Sequence, residues 1–294
     1  MLAEAMDVIS IGHIARDRNV VGHRSEVATG GGVYFGGMVF LALGFHVAIV
    51  TRLARADEQL LDDLKEAGAT VLPTYATETS GIENVHAKPN SDKRVCHPLG
   101  FAGSFRPEEV PDVPTQLYHI SSIMPGEVDL PFLREVASRG PIALDVQGLL
   151  RKRVGDELIT NGWTEAEEGL SLVRYLKVDD REAEALTGEQ DHRRATELLA
   201  EMGPEEVVLT HKEGVLVRAG AKLSEAPFRP RSLAGRTGRG DSCFSAYLGR
   251  RLLGDSPKEA TRFAAALTTL KLERPGPFQR PLADVEALLE GVGW

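Results

Sequence analysis

Short apolar runs rich in β-branched residues recur along the chain, and runs of this kind are typical of buried β-strands. They lie at residues 8–12, 47–50, 70–72, 117–121, 142–146, 170–178, 207–210 and 214–218. Between them lie segments in which apolar residues recur with helical spacing, at 34–43, 60–67, 130–138, 181–186, 193–202 and 244–253. Strands that alternate with helices predict a doubly wound α/β fold, in which a mainly parallel sheet carries helices on both faces.

Two segments break this alternation. Residues 17–29 and 79–99 are polar and alternate only loosely, with a turn near Gly22 in the first segment. Exposed strands have this pattern, and the two segments are predicted to pair as a small β lid formed from about residues 14–29 and 79–99. No internal repeat, low-complexity segment or linker interrupts the rest of the sequence, so residues 1–294 are predicted to form a single domain.

A glycine-rich segment precedes one predicted helix. Residues 235–243 read Gly-Arg-Thr-Gly-Arg-Gly-Asp-Ser-Cys and run directly into the helical segment 244–253. Closely spaced glycines let the backbone turn tightly and expose N–H groups at a helix start, where anions bind. The carboxylate of Asp241 lies at this predicted anion site and would repel a bound anion. A catalytic role would explain its presence. Taking a proton from a hydroxyl that attacks a phosphoryl group fits. The alternative is an ordinary loop with Asp241 as an N-cap or first-turn acid.

The amino-acid composition and net charge disfavour some classes of binding partner. The chain has 294 residues, 42% apolar content and a formal net charge of −9. This acidic balance disfavours nucleic acid and anionic membrane surfaces, and any anionic ligand therefore needs a local basic site. The two cysteines, Cys96 and Cys243, are too few for a disulfide framework, and the first residues show no signal-peptide pattern. No stretch has the length of a membrane span. We therefore expect a cytoplasmic protein without nucleic-acid or membrane partners.

Three separated motifs occur in a recognisable order. Gly31 and Gly32 precede the first helix, residues 179–188 read Asp-Asp-Arg-Glu-Ala-Glu-Ala-Leu-Thr-Gly, and residues 237–241 read Thr-Gly-Arg-Gly-Asp. In this order and spacing they resemble the ribokinase-like, PfkB-type carbohydrate kinases over nearly the whole chain. The resemblance implies a ribokinase-like fold, ATP and Mg²⁺ as cofactors, and transfer of the γ-phosphate to a hydroxyl of a small polyol or sugar.

The late motif then implies the catalytic residues. Asp241 is the implied general base, which holds the acceptor hydroxyl in line with the γ-phosphate and takes its proton. The backbone N–H groups of Gly238, Arg239 and Gly240 are implied to face the charge that develops on the transferred phosphate.

Six residues are candidates for acceptor binding. Asp17 matches the family's substrate-binding acid, and a carboxylate there accepts hydrogen bonds from vicinal hydroxyls; the alternative is a solvated charge on the lid. Gly31 and Gly32 would let the backbone approach a ring closely; the alternative is a plain turn before a helix. The remaining candidates for polyol contacts are Gln147 and Arg151, which follow a predicted strand, and Asn84, which lies on the predicted lid. The alternatives are a surface loop for the first two and an ordinary exposed strand position for Asn84.

Donor binding is assigned to the middle motif and to later loops. The candidate nucleotide-binding residues are Asp179, Thr210, Lys212, Gly214 and Gly276. Glu182 is implied to act on magnesium through water, because Mg²⁺ keeps several of its waters; the alternative is an ordinary acid on a helix face. The adenine is expected near the helix and loop predicted at residues 264–276; the alternative is that the apolar side chains there belong to the core.

A narrower resemblance concerns the acceptor. Residues 145–151, the segment around residues 177–179 and residues 275–277 resemble the branch that contains myo-inositol kinases. The resemblance therefore implies myo-inositol as the polyol.

Four positions depart from the family pattern. Gly36 and Asp179 stand where many members have Asn, and Gly235 stands where Asp is frequent, which bears on the family's monovalent-cation site. Arg239 replaces a small residue in the anion hole. Its guanidinium either steadies the transferring phosphate or points to solvent.

Two other functions are compatible with the sequence. The first is a nucleoside or other sugar kinase, although an aromatic content of only 6% argues against stacking on a base. The second is a catalytically silent sensor of sugar or nucleotide, against which the retained Asp241 and Glu182 argue. Because an exposed sheet edge is a pairing surface, a homodimer through the lid is also expected.

Overall fold

The structure is a computed structural model that describes residues 4–86 and 94–291. Within these ranges the strands are β1 (Met6–Ile11), β2 (Ala15–Val21), β3 (Arg24–Gly30), β4 (Val47–Ala54), β5 (Thr70–Ala76), β6 (Gly81–His86), β7 (Arg94–Gly100), β8 (Thr115–Ser121), β9 (Ile142–Asp145), β10 (Arg151–Val154), β11 (Glu157–Thr160), β12 (Tyr175–Asp179), β13 (Glu206–Thr210), β14 (Gly214–Ala219) and β15 (Lys222–Pro227). The α-helices are α1 (Gly32–Ala42), α2 (Asp62–Glu66), α3 (Leu130–Arg139), α4 (Gln147–Leu150), α5 (Ala166–Ser171), α6 (Asp180–Thr187), α7 (His192–Glu201), α8 (Arg239–Leu252), α9 (Pro257–Leu272) and α10 (Leu282–Gly291). Two 3-10 helices span Arg55–Leu61 and Pro107–Glu109.

The main sheet has nine strands in the order β15-β14-β13-β12-β9-β8-β1-β4-β5. All neighbours pair in parallel except β13 with β14 and β14 with β15, which are antiparallel. The prediction of a mainly parallel sheet is thus confirmed. Since β1 lies between β8 and β4, the chain winds away from it in both directions. Open α/β sheets bind ligands beside the carboxyl ends of their strands at such a reversal.

Successive residues of the central strands enter two separate cores. Val8 and Ile49 belong to one core, which includes side chains of α1, α8 and α9, whereas Ile9 and Val50 belong to the other, which includes side chains of α3 and α7. Because side chains alternate across a strand, each core covers one face of the sheet. Helices therefore cover both faces, and this double burial explains why the strands read as continuous apolar runs.

A second, smaller sheet has four strands in the order β3-β2-β6-β7. These strands come from the two segments assigned to the lid, and residues 87–93 of the second segment lie outside the described residues. One face carries Asp17 and Asn84 and lines a cavity, whereas Val27 and Val95 on the other face are 54% and 42% exposed. The segments look polar in sequence because one face meets a polar cavity and the other meets solvent.

Several elements were not predicted from the sequence. The hairpin of β10 and β11 was missed because it begins with three charged residues at 151–153, which give no strand pattern. The edge strand β15 pairs only with β14. Its polar residues interrupt the apolar pattern that would have predicted a strand. The segment at 60–67 was predicted as one helix, but it is divided between a 3-10 helix and α2. Acidic residues at the start of α2 favour a new helix N-terminus there.

The long helix α9 begins well before the helical segment expected near residue 264. Ser256 caps it and forms a reciprocal capping box with Glu259, and Pro257 occupies the first turn. These signals are present in the sequence and predict the observed start. None of the helices in residues 4–86 and 94–291 combines the length and apolar character needed to cross a membrane.

Candidate active site

A cavity of about 550 Å³ opens between the two sheets. Its small-sheet side is formed by β2, β3 and β6, and its main-sheet side by the ends of β12 and β13, the segment 233–238 and the start of α8. The cavity thus lies beside the carboxyl ends of parallel strands. The predicted residues that line it are Asp17, Gly31, Gly32, Asn84, Gln147, Arg151, Asp179, Thr210, Lys212, Gly238, Arg239, Gly240, Asp241 and Gly276.

Asp241 lies in the first turn of α8, next to the backbone of Gly32. A Cβ atom on Gly32 would lie 2.6 Å from Asp241 Oδ1 and closer still to Ser121 Oγ, so only glycine leaves room for the carboxylate at this wall. Among the described residues no hydrogen bond or salt bridge occupies the Asp241 carboxylate. Its position fits the first-turn alternative, but its carboxylate is not used to cap the helix and faces the cavity.

The turn before α8 requires glycine at its centre. Gly238 is the N-cap residue with φ of 78°, a left-handed conformation that side chains disfavour. A Cβ atom there would lie 2.2 Å from the ring of Phe35. The turn and the helix start that follows present the backbone at 238–240 along the cavity wall, as an anion site at a helix N-terminus requires.

Asp17 lies on the small-sheet side and is 7% exposed. Its Oδ1 accepts a hydrogen bond of 2.9 Å from the backbone N–H of Ile82. Gly30 is tightly apposed to it, since a Cβ atom on Gly30 would lie 2.1 Å from Asp17 Oδ2. Burial raises the pKa of Asp17 to about 6. The Asp17 side chain is therefore a packed, buried part of the cavity wall and not a solvated charge on the lid.

Arg151 and Asn84 complete that side of the cavity. The Arg151 guanidinium donates to the carbonyl oxygen of Ile123, and burial lowers the pKa of Arg151. Asn84 is 4% exposed, and its side-chain amide donates to the Asn19 side chain at 3.3 Å. Carboxylate, guanidinium and amide groups on one wall can accept from and donate to the hydroxyls of a polyol.

Lys177 lines the cavity next to the start of α8 and was not among the residues predicted from the sequence. Its Nζ is 3.1 Å from Asp145 Oδ2 and 3.4 Å from Glu182 Oε2, with all three side chains buried. A Cβ atom on Gly240 would lie 3.4 Å from Lys177 Nζ, so the ammonium adjoins the start of α8. Burial alone would lower the pKa of Lys177, but the two carboxylates outweigh it and raise that pKa. The sequence does contain a signal for this residue, because Lys177 stands within the apolar run of a predicted strand. A buried charge of this kind requires oppositely charged or hydrogen-bonding partners.

Lys271 is a second basic residue that sequence reasoning missed. It is 3% exposed, near the end of α9, and its Nζ donates to the carbonyl oxygens of Gly235, at 2.6 Å, and Thr237. The same nitrogen lies 5.1 Å from the centroid of the Phe35 ring. Again the signal is a lysine between leucines in a buried helix.

Two predicted residues do not line the cavity. Gly214 begins β14, where a Cβ atom would lie 2.5 Å from the Ala226 carbonyl oxygen, so a glycine there serves the pairing with β15. Glu182 is 3% exposed, and its Oε2 accepts a hydrogen bond of 2.7 Å from the backbone N–H of Asp179. Burial, followed by the neighbouring Asp179, raises the pKa of Glu182 to about 8. A role for Glu182 on magnesium through water stays a proposal.

The carboxylates near the cavity are the candidate ligands for a magnesium ion. Among residues 4–86 and 94–291, no group of three or more His, Cys, Asp or Glu side chains is placed to hold a metal ion. Asp179 and Asp180 do line the cavity. These residues fit a magnesium ion bound mainly by phosphate oxygens and water, which is the mode that Mg²⁺ prefers beside one or two carboxylates.

The departures at Gly36 and Gly235 have local explanations. A Cβ atom on Gly36 would lie 2.4 Å from Ser245 Oγ, so α1 and α8 are too close there for an Asn side chain. A Cβ atom on Gly235 would lie 1.7 Å from the Arg274 carbonyl oxygen. An Asp side chain has no space at that position, where Lys271 binds the backbone instead.

Solved kinase structures share the overall fold of this chain. A solved pyrophosphate-dependent kinase in the ribokinase family, complexed with a pyrophosphate analog and myo-inositol, is 33% identical, with a TM-score of 0.88 over 95% of this chain and 99% of that one. The ribokinase of Arabidopsis thaliana, complexed with ribose and ATP, is 17% identical and shares the fold, with a TM-score of 0.76 over 98% of this chain and 100% of that one.

A sequence relative and a family model also indicate a kinase. A cytidine kinase of Thermococcus kodakarensis is 26% identical over 271 residues, which cover 87% of this chain and 92% of that protein. The family model for pfkB family carbohydrate kinases matches residues 27–281. The resemblance seen in the three motifs is thus confirmed, and the chain belongs to the pfkB family of carbohydrate kinases.

Proposed function

We propose that this kinase transfers a phosphoryl group to a hydroxyl of myo-inositol, with Asp241 as the general base. The observation that carries the proposal is the position of the Asp241 carboxylate. It lies against Gly32, at the helix start that supplies the anion-binding turn, and no other described group occupies it. A hydroxyl beside Asp241 is therefore also beside the place where a phosphate binds.

The acceptor is proposed from the polar wall on the small-sheet side. Asp17, Asn84, Gln147 and Arg151 offer a carboxylate, two amides and a guanidinium to one ligand. myo-Inositol has a hydroxyl on each ring carbon and can form hydrogen bonds with all four side chains. Phe35 is the only Phe, Tyr or Trp among the described residues of the cavity, which disfavours a nucleoside base. The neighbour that is 33% identical binds myo-inositol, and this supports the same acceptor here.

The donor is proposed from the basic residues on the main-sheet side. Arg181, Lys212, Arg236 and Arg239 line the cavity there, and the side chains of all but Arg236 form no salt bridge within the described residues. Pyrophosphate consists of two anionic phosphate groups and has no apolar part, and lysine and arginine side chains are suited to bind it. We therefore propose pyrophosphate as the donor. The 33% identical neighbour, which is pyrophosphate-dependent, supports this choice.

ATP, the donor implied by the motifs, is the alternative. An adenine base needs an apolar slot. The apolar residues of α9 expected to form it are core residues, with Ala264 and Leu267 both fully buried. Leu233, Pro275 and Gly276 do line the cavity and would contact the base if ATP binds.

In the proposed reaction, the acceptor oxygen attacks the terminal phosphorus of the donor. Its proton passes to Asp241, the P–O bond to the leaving phosphate breaks, and orthophosphate leaves with that electron pair. The N–H groups at the start of α8 and the ammonium of Lys177 stabilise the charge on the transferred group. Magnesium, when bound beside Asp179, would neutralise part of the charge on the donor phosphates.

A panel of donors and acceptors tests the proposal. Pyrophosphate or ATP would be mixed with Mg²⁺ and, in turn, with myo-inositol, other cyclitols, ribose, fructose, fructose 6-phosphate and cytidine, and products would be identified by mass spectrometry. Inositol monophosphate formed from pyrophosphate is the expected product. Preferred phosphorylation of cytidine or a sugar would contradict the acceptor, and preference for ATP would contradict the donor. No product from any pair would favour a sensor.

Asp17 predicts a pH dependence of acceptor use. Because its pKa is raised to about 6, the carboxylate is protonated below that pH and ionised above it. The ionised form accepts hydrogen bonds through both oxygens, whereas the protonated form turns one of them into a donor and so binds a pair of hydroxyl donors less well. We expect kcat/KM for the acceptor to rise between about pH 5 and pH 7. Asp17→Asn should lower kcat/KM and remove this rise. A rise that persists in the variant would assign it to another group.

A homodimer through the small sheet is also proposed. Val27 and Val95 lie on the face opposite the cavity and are exposed, and Arg18 and Glu83 form a salt bridge of 2.6 Å on that same face. In a symmetric dimer, such a face would be buried against the same face of a second copy of the chain. Sedimentation of the purified protein would give its oligomeric state.

A further inference from the structure

Lys271 is buried without an acidic partner. Among the described residues it forms no salt bridge, and its ammonium instead donates to the carbonyl oxygens of Gly235 and Thr237. Burying an ammonium group costs free energy unless its N–H groups donate hydrogen bonds. Two carbonyl oxygens and an aromatic ring offset this desolvation cost less than a carboxylate would. A leucine would fill the same space at lower cost, so the charge itself calls for an explanation.

The two carbonyls belong to the turn that precedes α8. Gly235 is also bonded through its N–H to the carbonyl oxygen of Leu272, at 2.8 Å, so this turn is joined to the end of α9 from both directions. Only one residue separates Thr237 from the first residue of α8. The carbonyls that Lys271 holds point toward α9, and the N–H groups that follow lie at the cavity wall.

We propose that Lys271 is a positioning residue, a fixed internal cation that holds the carbonyls of residues 235–237 away from the donor phosphates and thereby aims the amides at 238–240. This rests on the proposed function. Without a cation between them, the two carbonyl dipoles repel each other and are free to turn toward the cavity, where they would oppose an anion.

The charged groups that face Lys271 are Asp241 and Arg239, both in the first turn of α8. Burial lowers the pKa of Lys271 to about 8, while Asp241 acts to raise it. The ammonium form therefore prevails at neutral pH, where the bonds to both carbonyls need it. Lys271 does not line the cavity, so its influence on the reaction passes through the turn and not through contact with substrate.

Two variants separate a positioning charge from simple packing. Lys271→Ala removes the charge and leaves space for a small cation, whereas Lys271→Met removes the charge and fills the space. We expect turnover to fall about 10²-fold in both variants, as for loss of one well-placed donor. Added ammonium or potassium ions should restore most of the turnover of Lys271→Ala but not that of Lys271→Met, and should leave the wild type unchanged.

Two results would overturn the proposal: unchanged turnover in folded Lys271→Ala, or a loss that no cation restores in that variant. Amide hydrogen exchange of residues 235–241 provides a readout that does not depend on the acceptor or the donor. Exchange there should be faster in Lys271→Ala and slowed again by ammonium. If the wild type fails to phosphorylate myo-inositol, the proposed function fails, yet this exchange experiment still decides the role of Lys271. Equal exchange in wild type and both variants would contradict it.

Discussion

Asp241→Asn is expected to lower turnover by about 10²- to 10⁴-fold while leaving the fold intact. The amide fits the space beside Gly32 but cannot take the proton of the attacking hydroxyl. Binding of the donor should be unchanged or tighter, because a carboxylate that repels phosphate has been removed. Steady-state kinetics and a separate measurement of donor affinity would show both effects.

The control is another aspartate in the first turn of a helix. Asp284 lies near the start of α10, where it forms an ordinary salt bridge of 2.9 Å with Arg280. Asp284→Asn should keep the wild-type rate. A turnover of Asp241→Asn within a few-fold of the wild type would remove Asp241 from the chemistry and leave it as a first-turn acid.

Lys177→Met is expected to lower the free energy of unfolding at about pH 9 by about 3–5 kcal/mol, because at that pH it leaves two buried carboxylates without their cation. Asp145 and Glu182 are each about 5% exposed or less, and both depend on the Lys177 ammonium. The loss should be larger at about pH 9 than at about pH 6. Since the pKa of Glu182 is raised to about 8, that carboxyl takes up a proton at the lower pH and no longer needs the cation. Chemical denaturation at the two pH values measures this difference.

Arg174 offers a matched control in the same part of the fold. It precedes β12 and pairs with Glu205 at 3.0 Å, but both side chains are largely exposed. Arg174→Met should therefore lower stability by no more than about 1 kcal/mol. If Lys177→Met and Arg174→Met lower the free energy of unfolding equally, burial does not determine how much the Lys177 ion pairs contribute to stability.

Some features of this protein follow directly from local sequence. The apolar runs gave the central strands because those strands are buried on both faces. The turn before α8 was predicted because its glycines have a specific geometric use, which Gly238 shows in its left-handed conformation. These signals are local in sequence.

Other features depend on contacts between distant segments, and no local pattern reveals them. Lys177 becomes a site residue only because Asp145 and Gly240, far away in sequence, meet at its ammonium. Likewise, the bond between Lys271 and Gly235 joins α9 to a turn that lies 36 positions earlier. Gly214 was assigned to donor binding from its place after Thr210, whereas the pairing of β14 with β15 explains it.

The most direct test of the proposed function is phosphorus NMR of one reaction mixture that contains the enzyme, Mg²⁺, pyrophosphate, ATP and myo-inositol. We predict that an inositol monophosphate signal grows in step with orthophosphate while the ATP signals stay constant, and that neither change occurs with Asp241→Asn. Consumption of pyrophosphate or ATP without an inositol phosphate signal, or the same signal from Asp241→Asn at the wild-type rate, would contradict the account.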